Sequence, residues 1–352
     1  MNGRTGASEP RRAASRPGRC APSDILASVP RRHEPRPPAA GEWPLLRAAI
    51  NRVFRPGGGD LAAELPRFLH PRNFGNLRVI VGTGAATGQP APPGAQPGGA
   101  QPRILAHAGF LPRIANIHRR KVRVACIGAV FVVPEMRGHG LGTLVLEEVL
   151  RLARRDADLV MVSGDRGLYL RQGLRPVAPL VRVQPPTATP DSAAPPRIRT
   201  REATADDIDR LIAMHDSLDV RFARSASDWR HWLASRPLLF LGAPARLDLV
   251  GAAPQAEAEA DADATPERSC VAYRVTALGR RTIVEYAGDP AAVLDSAQLS
   301  GDALWVPPHD REMLAKASSL PGWTSAPRPF PMTAEARIPN LTTVPWYGLD
   351  YL

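Results

Sequence analysis

The chain has 352 residues, enough for about two domains, and its 44% hydrophobic and 22% charged content is typical of a folded globular protein. No apolar run approaches the roughly 20 residues of a membrane-spanning helix, so we expect no membrane partner. The net charge of +11 suggests nucleic acid, yet the first 41 residues alone hold eight arginines against three acidic residues. Because the excess is concentrated in this tail, we expect no nucleic-acid partner.

The cysteines and histidines show no pattern of metal ligands. The three cysteines are odd in number and far apart, which excludes a disulfide framework and fits a reducing, cytoplasmic location. His215, His231 and His309 lack the spacing of a ligand set. We therefore expect surface or capping roles for these histidines and no metal site.

Composition divides the chain into five segments. Stretches rich in Pro, Gly, Ala and Arg cannot bury enough apolar surface to offset the entropy of ordering, so they predict tails and linkers. The predicted segments are a disordered Arg/Pro-rich tail (1–41), a first domain (42–184), a Pro-rich linker (185–196), a second domain (197–340) and a C-terminal tail (341–352).

Apolar periodicity predicts alternating strands and helices in the first domain. A helix begins near Trp43, and the Gly/Pro-rich segment 84–102 predicts a long hairpin loop. The remaining predicted elements are strands at 77–81, 104–110, 113–118 and 122–133, a helix at 138–155, a strand at 159–162, a short helix at 165–172 and an extended run at 175–183.

The second domain repeats this order of strands and helices loosely. An acidic, Ala-rich insertion at 252–267 predicts a solvated loop. The predicted elements are a strand at 198–201, a helix capped by Thr204, a helix carrying Trp229 and Trp232, a strand at 238–241 and a hairpin formed by 271–275 and 282–286.

The stretch from Val132 to Leu144 contains the motif that is most informative about function. A strand ends at Pro134, and a helix begins inside a loop with glycines at 138, 140 and 142. Glycine permits positive φ and lets the backbone approach a bulky anion. Successive amides, together with the partial positive charge of a helix start, favour a phosphate group there. The sequence therefore predicts a pyrophosphate site.

Spacing decides among the pyrophosphate ligands. A dinucleotide motif requires Gly-x-Gly-x-x-Gly, but Thr143 stands where the third glycine belongs, and no Gly-Lys-Ser/Thr of a P-loop follows. The pattern that remains is Arg-x-x-Gly-x-Gly, formed by Arg137, Gly140 and Gly142 after an apolar strand. This pattern resembles the acetyl-CoA motif of the GNAT superfamily of N-acetyltransferases.

The resemblance implies the mixed-sheet α/β (α+β) fold of acyl-CoA N-acyltransferases, in two tandem copies of which the second is degenerate. This layout resembles the enhanced-intracellular-survival subgroup without its sterol-carrier domain, for which the 52 residues after Ser300 are too few. The resemblance also implies acetyl-CoA as cosubstrate. The residues implied to hold it are the strand end Phe131, Val132 and Val133 and the loop residues Arg137, Gly138, His139, Gly140, Leu141, Gly142, Thr143 and Leu144.

A tyrosine follows at the position of the superfamily's general acid. Tyr169, Gly173 and Leu174 match its Tyr-x-x-x-Gly-apolar pattern, so the resemblance implies that Tyr169 protonates the departing thiolate. The superfamily's glutamate base has no counterpart, because 122–133 contains no acid. In the subgroup the C-terminal carboxylate reaches the active site, which makes the carboxylate of Leu352 a hypothetical base.

These observations predict an enzyme that acetylates a primary amine, on a small molecule or a peptide, by direct attack. A covalent intermediate is disfavoured because Cys126 lies upstream of the loop without a paired histidine. A non-catalytic acyl-CoA-binding or sensing protein is the alternative, and an Arg-rich nucleic-acid binder is a third reading. The sequence specifies neither the acceptor nor the oligomeric state.

Overall fold

A computed structural model describes residues 33–83, 102–187, 198–235, 238–240, 243–252, 270–328, 332–346 and 350. Two mixed β-sheets, each with helices packed on it, form the core. None of the helices within these residues is both long and apolar enough to cross a membrane. Residues 1–32 of the predicted tail 1–41, most of the insertion 252–267 and Leu352 lie outside the described residues.

The described helices follow the apolar periodicity of the sequence. Helix α1 buries Leu46 and Ile50, four residues apart on one face. The α-helices are α1 Trp43–Phe54, α2 Leu61–Glu64, α3 Leu141–Asp156, α4 Gly167–Arg171, α5 Ile208–Asp216, α6 Ala226–Ala234, α7 Pro290–Ser300 and α8 Arg311–Ser319. Short 3-10 helices occupy Ala40–Glu42, Pro71–Asn76, Pro134–Met136, Ala205–Asp207 and Leu278–Arg280.

The strands form two sheets. The strands are β1 Leu77–Thr83, β2 Pro102–Ile117, β3 Arg120–Val132, β4 Leu159–Ser163, β5 Arg175–Pro176, β6 Leu180–Gln184, β7 Ile198–Glu202, β8 Val220–Phe222, β9 Leu238–Phe240, β10 Ala243–Ala252, β11 Cys270–Ala277, β12 Thr282–Gly288, β13 Ala303–Val306, β14 Thr324–Arg328 and β15 Met332–Ala336. The first sheet has the order β1-β2-β3-β4-β15-β5, with β8 also on β2. The second has the order β14-β6-β13-β12-β11-β10-β7, with β9 on β10.

The two halves of the chain exchange strands. Strand β6, which falls within the predicted segment 42–184, lies between β13 and β14 of the second sheet. Strand β15, which falls within 197–340, lies between β4 and β5 of the first sheet. The single extended run predicted at 175–183 is therefore two strands that enter different sheets.

Strand β2 also differs from its prediction. The sequence predicted two strands separated near Pro112, whereas β2 runs unbroken through that residue. On its outer side β2 pairs with β1 at 102–109 and with β8 at 115–117. Pro112 lies in the interval between them, where its missing N–H leaves no ladder bond unmade on that side.

We expect Ala334→Pro to destabilise the protein strongly. Ala334 pairs with both Met161 and Arg175, so a proline there removes a ladder bond in a strand flanked on both sides. The expected loss of unfolding free energy is about 2 kcal/mol or more, measured by urea denaturation. Thr324→Pro, at the exposed start of the edge strand β14, is the control and should cost much less. Equal losses would contradict the exchanged-strand arrangement.

Candidate active site

The loop between β3 and α3 forms an open row of backbone amides. Gly138 and Gly140 have φ of 82° and 77°, which explains why the helix begins at Leu141 and not at 138 as predicted. Within the described part of the chain, the N–H groups of residues 138–142 donate no hydrogen bond. The start of α3 adds about half a positive charge, so the loop is suited to an anion.

The side chains around this loop divide into packed and exposed groups. A Cβ on Gly142 would lie 3.2 Å from Val132 Cγ2, so glycine there lets α3 pack closely against β3. Val133 and Leu141 are buried in the core, and the amides of Thr143 and Leu144 bond to Gly140 O. His139 is exposed, and its ring Nδ1 lies 3.0 Å from Arg137 O.

Strands β3 and β4 part where this site begins. They pair in parallel from Val124–Leu159 to Ile127–Val162, and no further pair follows. A cavity of about 170 Å³ occupies the gap, and a second of about 480 Å³ adjoins it through Val130 and Arg166. The larger cavity brings together three predicted residues, Phe131, Val132 and Arg137, and the smaller one contains Tyr169, Cys126 and Asp350.

A bulge in β3 faces this gap. Ala129 has a φ of 49°, and the pairing of β2 with β3 shifts register there. His107, fully buried and stacked on Phe131, donates a hydrogen bond from Nδ1 to Ala129 O over 2.8 Å. The C=O and N–H of one trans peptide point in opposite directions, so the amide of Val130 is directed away from His107. His107 therefore fixes the peptide that lines both cavities.

Tyr169 and Cys126 are two of the protic side chains that line the smaller cavity. Tyr169 is 5% exposed and packs beside Gly164, where an added Cβ would lie 3.1 Å from the ring. Burial raises the pKa of the Cys126 thiol to about 12. This thiol stays protonated at neutral pH and is unsuited to act as a nucleophile.

A buried ionic network lies beside the cavity. Asp350 accepts hydrogen bonds from Arg113 and from Arg224, the latter at 2.7 and 2.9 Å. Arg224 also donates to Glu285 at 2.5 and 2.8 Å, and the Tyr273 hydroxyl donates to Glu285 at 2.9 Å. Burial alone would lower the pKa of Arg224, but Asp350 and Glu285 raise it well above its ordinary value. The network thus joins β2, β12 and the part of the chain that follows β15, residues 337–346 and 350, which is the C-terminal segment.

Residues 89–173 match the family model described as Acetyltransferase (GNAT) family. This part of the chain is a GNAT domain. Among solved structures, the chain is similar to a GCN5-related N-acetyltransferase from Kribbella flavida, with 14% identity and a TM-score of 0.55 over 86% of this chain and 72% of that one. It is also similar to Eis1 from Mycobacterium abscessus, with 14% identity and a TM-score of 0.50 over 86% and 74% of the two chains. Comparison with curated proteins gives no match.

A third similar structure is a GCN5-related N-acetyltransferase from Anabaena variabilis, with 13% identity and a TM-score of 0.54 over 87% of this chain and 73% of that one. At these identities the likeness establishes the fold. The predicted GNAT resemblance and mixed-sheet acyl-CoA N-acyltransferase fold are therefore confirmed.

Sequence reasoning missed the partners that the second half supplies to the GNAT domain. Arg224, Glu285 and Asp350 belong to no sequence motif. The one available signal for Asp350 is the run of aromatic residues around it, which is unusual for an exposed tail. The surface or capping role predicted for His215 was wrong, because this residue is 3% exposed. Its Nε2 donates to Phe222 O at 2.9 Å, and its Nδ1 lies 3.0 Å from the Tyr273 hydroxyl. Within the described residues, no cluster of His, Cys, Asp and Glu could hold a metal ion.

We expect stability to fall as pH drops from 6.5 to 4. Burial lowers the pKa of both His107 and His215 from 6.5 to about 4, and Arg224 lowers that of His215 further. Both rings are neutral in the folded chain, whereas the unfolded chain binds protons below pH 6.5. The stabilisation is complete above pH 6.5, and its loss approaches about 3 kcal/mol per histidine near pH 4.

Urea denaturation at pH 7, 6 and 5 measures this dependence. His107→Asn retains a donor that can reach Ala129 O but does not titrate, so it should reduce the slope of unfolding free energy against pH. An unchanged slope in this variant would show that His107 does not contribute to the pH dependence of stability.

Proposed function

We propose that the chain is an N-acetyltransferase that moves an acetyl group from acetyl-CoA to a primary amine by direct attack. The observation that carries the proposal is the row of five amides, at 138–142, which donate no hydrogen bond within the described residues. Arg137, the residue before this row, lines the larger cavity, which adjoins the cavity of Tyr169 through Val130 and Arg166. The amide row, the parted strands and Tyr169 would correspond in this order to the diphosphate, the pantetheine arm and the thioester of coenzyme A.

The residues present fit that cosubstrate. The amides of 138–142 and the guanidinium of Arg137 would hold the diphosphate, with the start of α3 behind them. The backbone of Phe131, Val132 and Val133, at the end of the parted strand, would hold the pantetheine arm. The thioester supplies an activated acetyl group and a thiolate leaving group. The side chains of Val133, Leu141 and Leu144 pack in the core, so their contribution would come from the backbone.

Tyr169 would act as the general acid. Tyr169 lies on the wall of the cavity into which the gap leads. A phenol of pKa about 10 that protonates a thiolate of pKa about 8.5 works against about 2 kcal/mol, which positioning can offset. The protonated thiol of Cys126 argues against an acetyl-cysteine intermediate, so the amine would attack the thioester directly.

The attacking amine must first lose a proton, which costs about 4 to 5 kcal/mol for an ammonium of pKa about 10.4 at pH 7. Glu135 is paired with Arg103 at 2.6 Å, outside the cavity. The Asp350 carboxylate is committed to two arginines. The carboxylate of Leu352 remains the proposed base. Asp350, two positions earlier in the sequence, lines the cavity of Tyr169, which supports this proposal.

The acceptor would be a primary amine on a small molecule or a peptide, in the cytoplasm. The GNAT domain supports an amine as the class of acceptor, and the proposal covers polyamines, aminoglycoside-like amines and peptide amines. Extending the chain by a few residues beyond Leu352 tests the base. A retained rate in the extended protein would reject the terminal carboxylate in this role.

We expect Tyr169→Phe to lower kcat about 100-fold or more while the Kd for acetyl-CoA stays within about two-fold. The variant keeps the ring that packs beside Gly164 and removes the hydroxyl. Free-thiol release against an amine panel gives kcat, and calorimetric titration gives Kd. Tyr286→Phe, whose hydroxyl bonds to Asp310 in the second half, is the control. A wild-type protein that binds acetyl-CoA without turnover with any amine would favour the sensor function instead.

We expect Gly140→Ala to weaken acetyl-CoA binding about ten-fold. A side chain at φ of 77° costs about 1 to 2 kcal/mol, which the loop can relieve only by turning its amides away. Gly279→Ala is the matched control, because its added Cβ meets no atom within 4 Å and no positive φ is required. Equal affinities in the two variants would contradict the assignment of the loop.

A further inference from the structure

The second sheet repeats the parting of two parallel strands. Strands β12 and β13 pair only at Thr282–Ala303 and Ile283–Leu304, and each is followed by a helix, α7 or α8. A cavity of about 460 Å³ occupies the gap beyond these pairs. Its walls include Val284, Glu285 and Trp305. In layout this gap corresponds to the one between β3 and β4, where the GNAT domain has its open amides.

The helix start at this second gap is capped by an acidic side chain. The carboxylate of Asp289 accepts a hydrogen bond from the Ala291 amide at 2.9 Å, and Pro290 has no N–H to offer. An intrinsic negative charge thus stands where the first half offers amides to an anion. A diphosphate would meet repulsion at this position, so the second gap is unsuited to coenzyme A.

A side chain of the C-terminal segment enters the second gap. The indole Nε1 of Trp346 donates to Val284 O at 2.7 Å, and Val284 is the first residue of β12 beyond its pairing with β13. The ring lies edge-on to Trp305, with centroids 5.8 Å apart and planes at 74°. Trp346 therefore binds a backbone acceptor that the parting of the strands exposes.

The same segment is fixed on both sides of Trp346. Before it, Ile338, Leu341 and Val344 pack against the buried face of the first sheet. After it, Asp350 is held by Arg224, which also binds Glu285, the neighbour of Val284 in β12. Trp346 and Asp350 are thus tied to adjacent residues of one strand, and Asp350 lines the cavity of Tyr169.

We propose that the gap of the second half that corresponds to the cofactor gap has become a socket for the chain's own C-terminal segment, with Trp346 as the anchor that positions Asp350 at the cavity of Tyr169. Trp346 is a positioning residue, since it acts through the residues that follow it. The catalytic part of this inference rests on the proposed function, whereas the anchoring itself does not.

The test compares Trp346→Leu with Trp323→Leu. Both tryptophans are half-buried, but Trp323 packs on the far core of the second sheet, away from the segment. Trp346→Leu should lower kcat about ten-fold or more with an unchanged Kd for acetyl-CoA, since small displacements of catalytic groups have effects of this size. It should also raise amide hydrogen exchange in 338–346. Trp323→Leu should do neither. Trp346→Phe, which keeps a ring but loses the N–H, should be intermediate.

Three results would overturn the proposal. Unchanged exchange in 338–346 of Trp346→Leu would show that the indole is not an anchor, whether or not the protein is an acetyltransferase. Faster exchange with unchanged kcat would show that the anchor does not serve catalysis. Calorimetry that finds two equivalents of acetyl-CoA per chain would show that the second gap is still a cofactor site. A wild-type protein without acetyl transfer would refute the proposed function but leave the exchange result to decide the anchoring.

Discussion

The parting of β3 from β4 beyond Ile127 and Val162 is the constraint on which the candidate site depends. Two strands that stayed paired would use each other's amides and carbonyls, and no cleft would exist between them. The bulge at Ala129 turns β3 at this point, and His107 holds the turned peptide by its carbonyl. Because α3 packs on β3 through Gly142, the amide row at 138–142 is fixed relative to the same strand. Cleft and anion site are therefore parts of one local distortion.

The exchange of strands between the two sheets connects this local distortion to the rest of the chain. With β15 in the first sheet and β6 in the second, neither sheet is complete without residues from the other half. The segment after β15 must then cross the face of the first sheet, which places Trp346 at the second gap and Asp350 at the first cavity. The cavity of Tyr169 is thus walled by both halves, although the motif that points to it occupies only one.

The local parts of this arrangement were readable in the sequence and the long-range parts were not. The helix from Leu141, the glycine loop and Tyr169 follow from patterns within some forty residues, where periodicity and turn chemistry decide the conformation. The contacts of Asp350 with Arg113 and Arg224 join residues 237 and 126 positions apart, and no propensity reports such pairs. Likewise the run at 175–183 reads as one strand, because nothing in it shows that β5 and β6 enter different sheets.

The buried ionic network at the junction is better explained by position than by stability. Removing Arg224, Asp350 and Glu285 from water costs several kcal/mol per ion, and their mutual attraction offsets this without a large surplus. Apolar residues of similar size could pack the same space. They would not, however, fix the position of Asp350 along β2 and β12. Apolar packing tolerates sliding, whereas paired guanidinium–carboxylate hydrogen bonds do not. The network therefore serves chiefly to hold Asp350 at one place against β2 and β12.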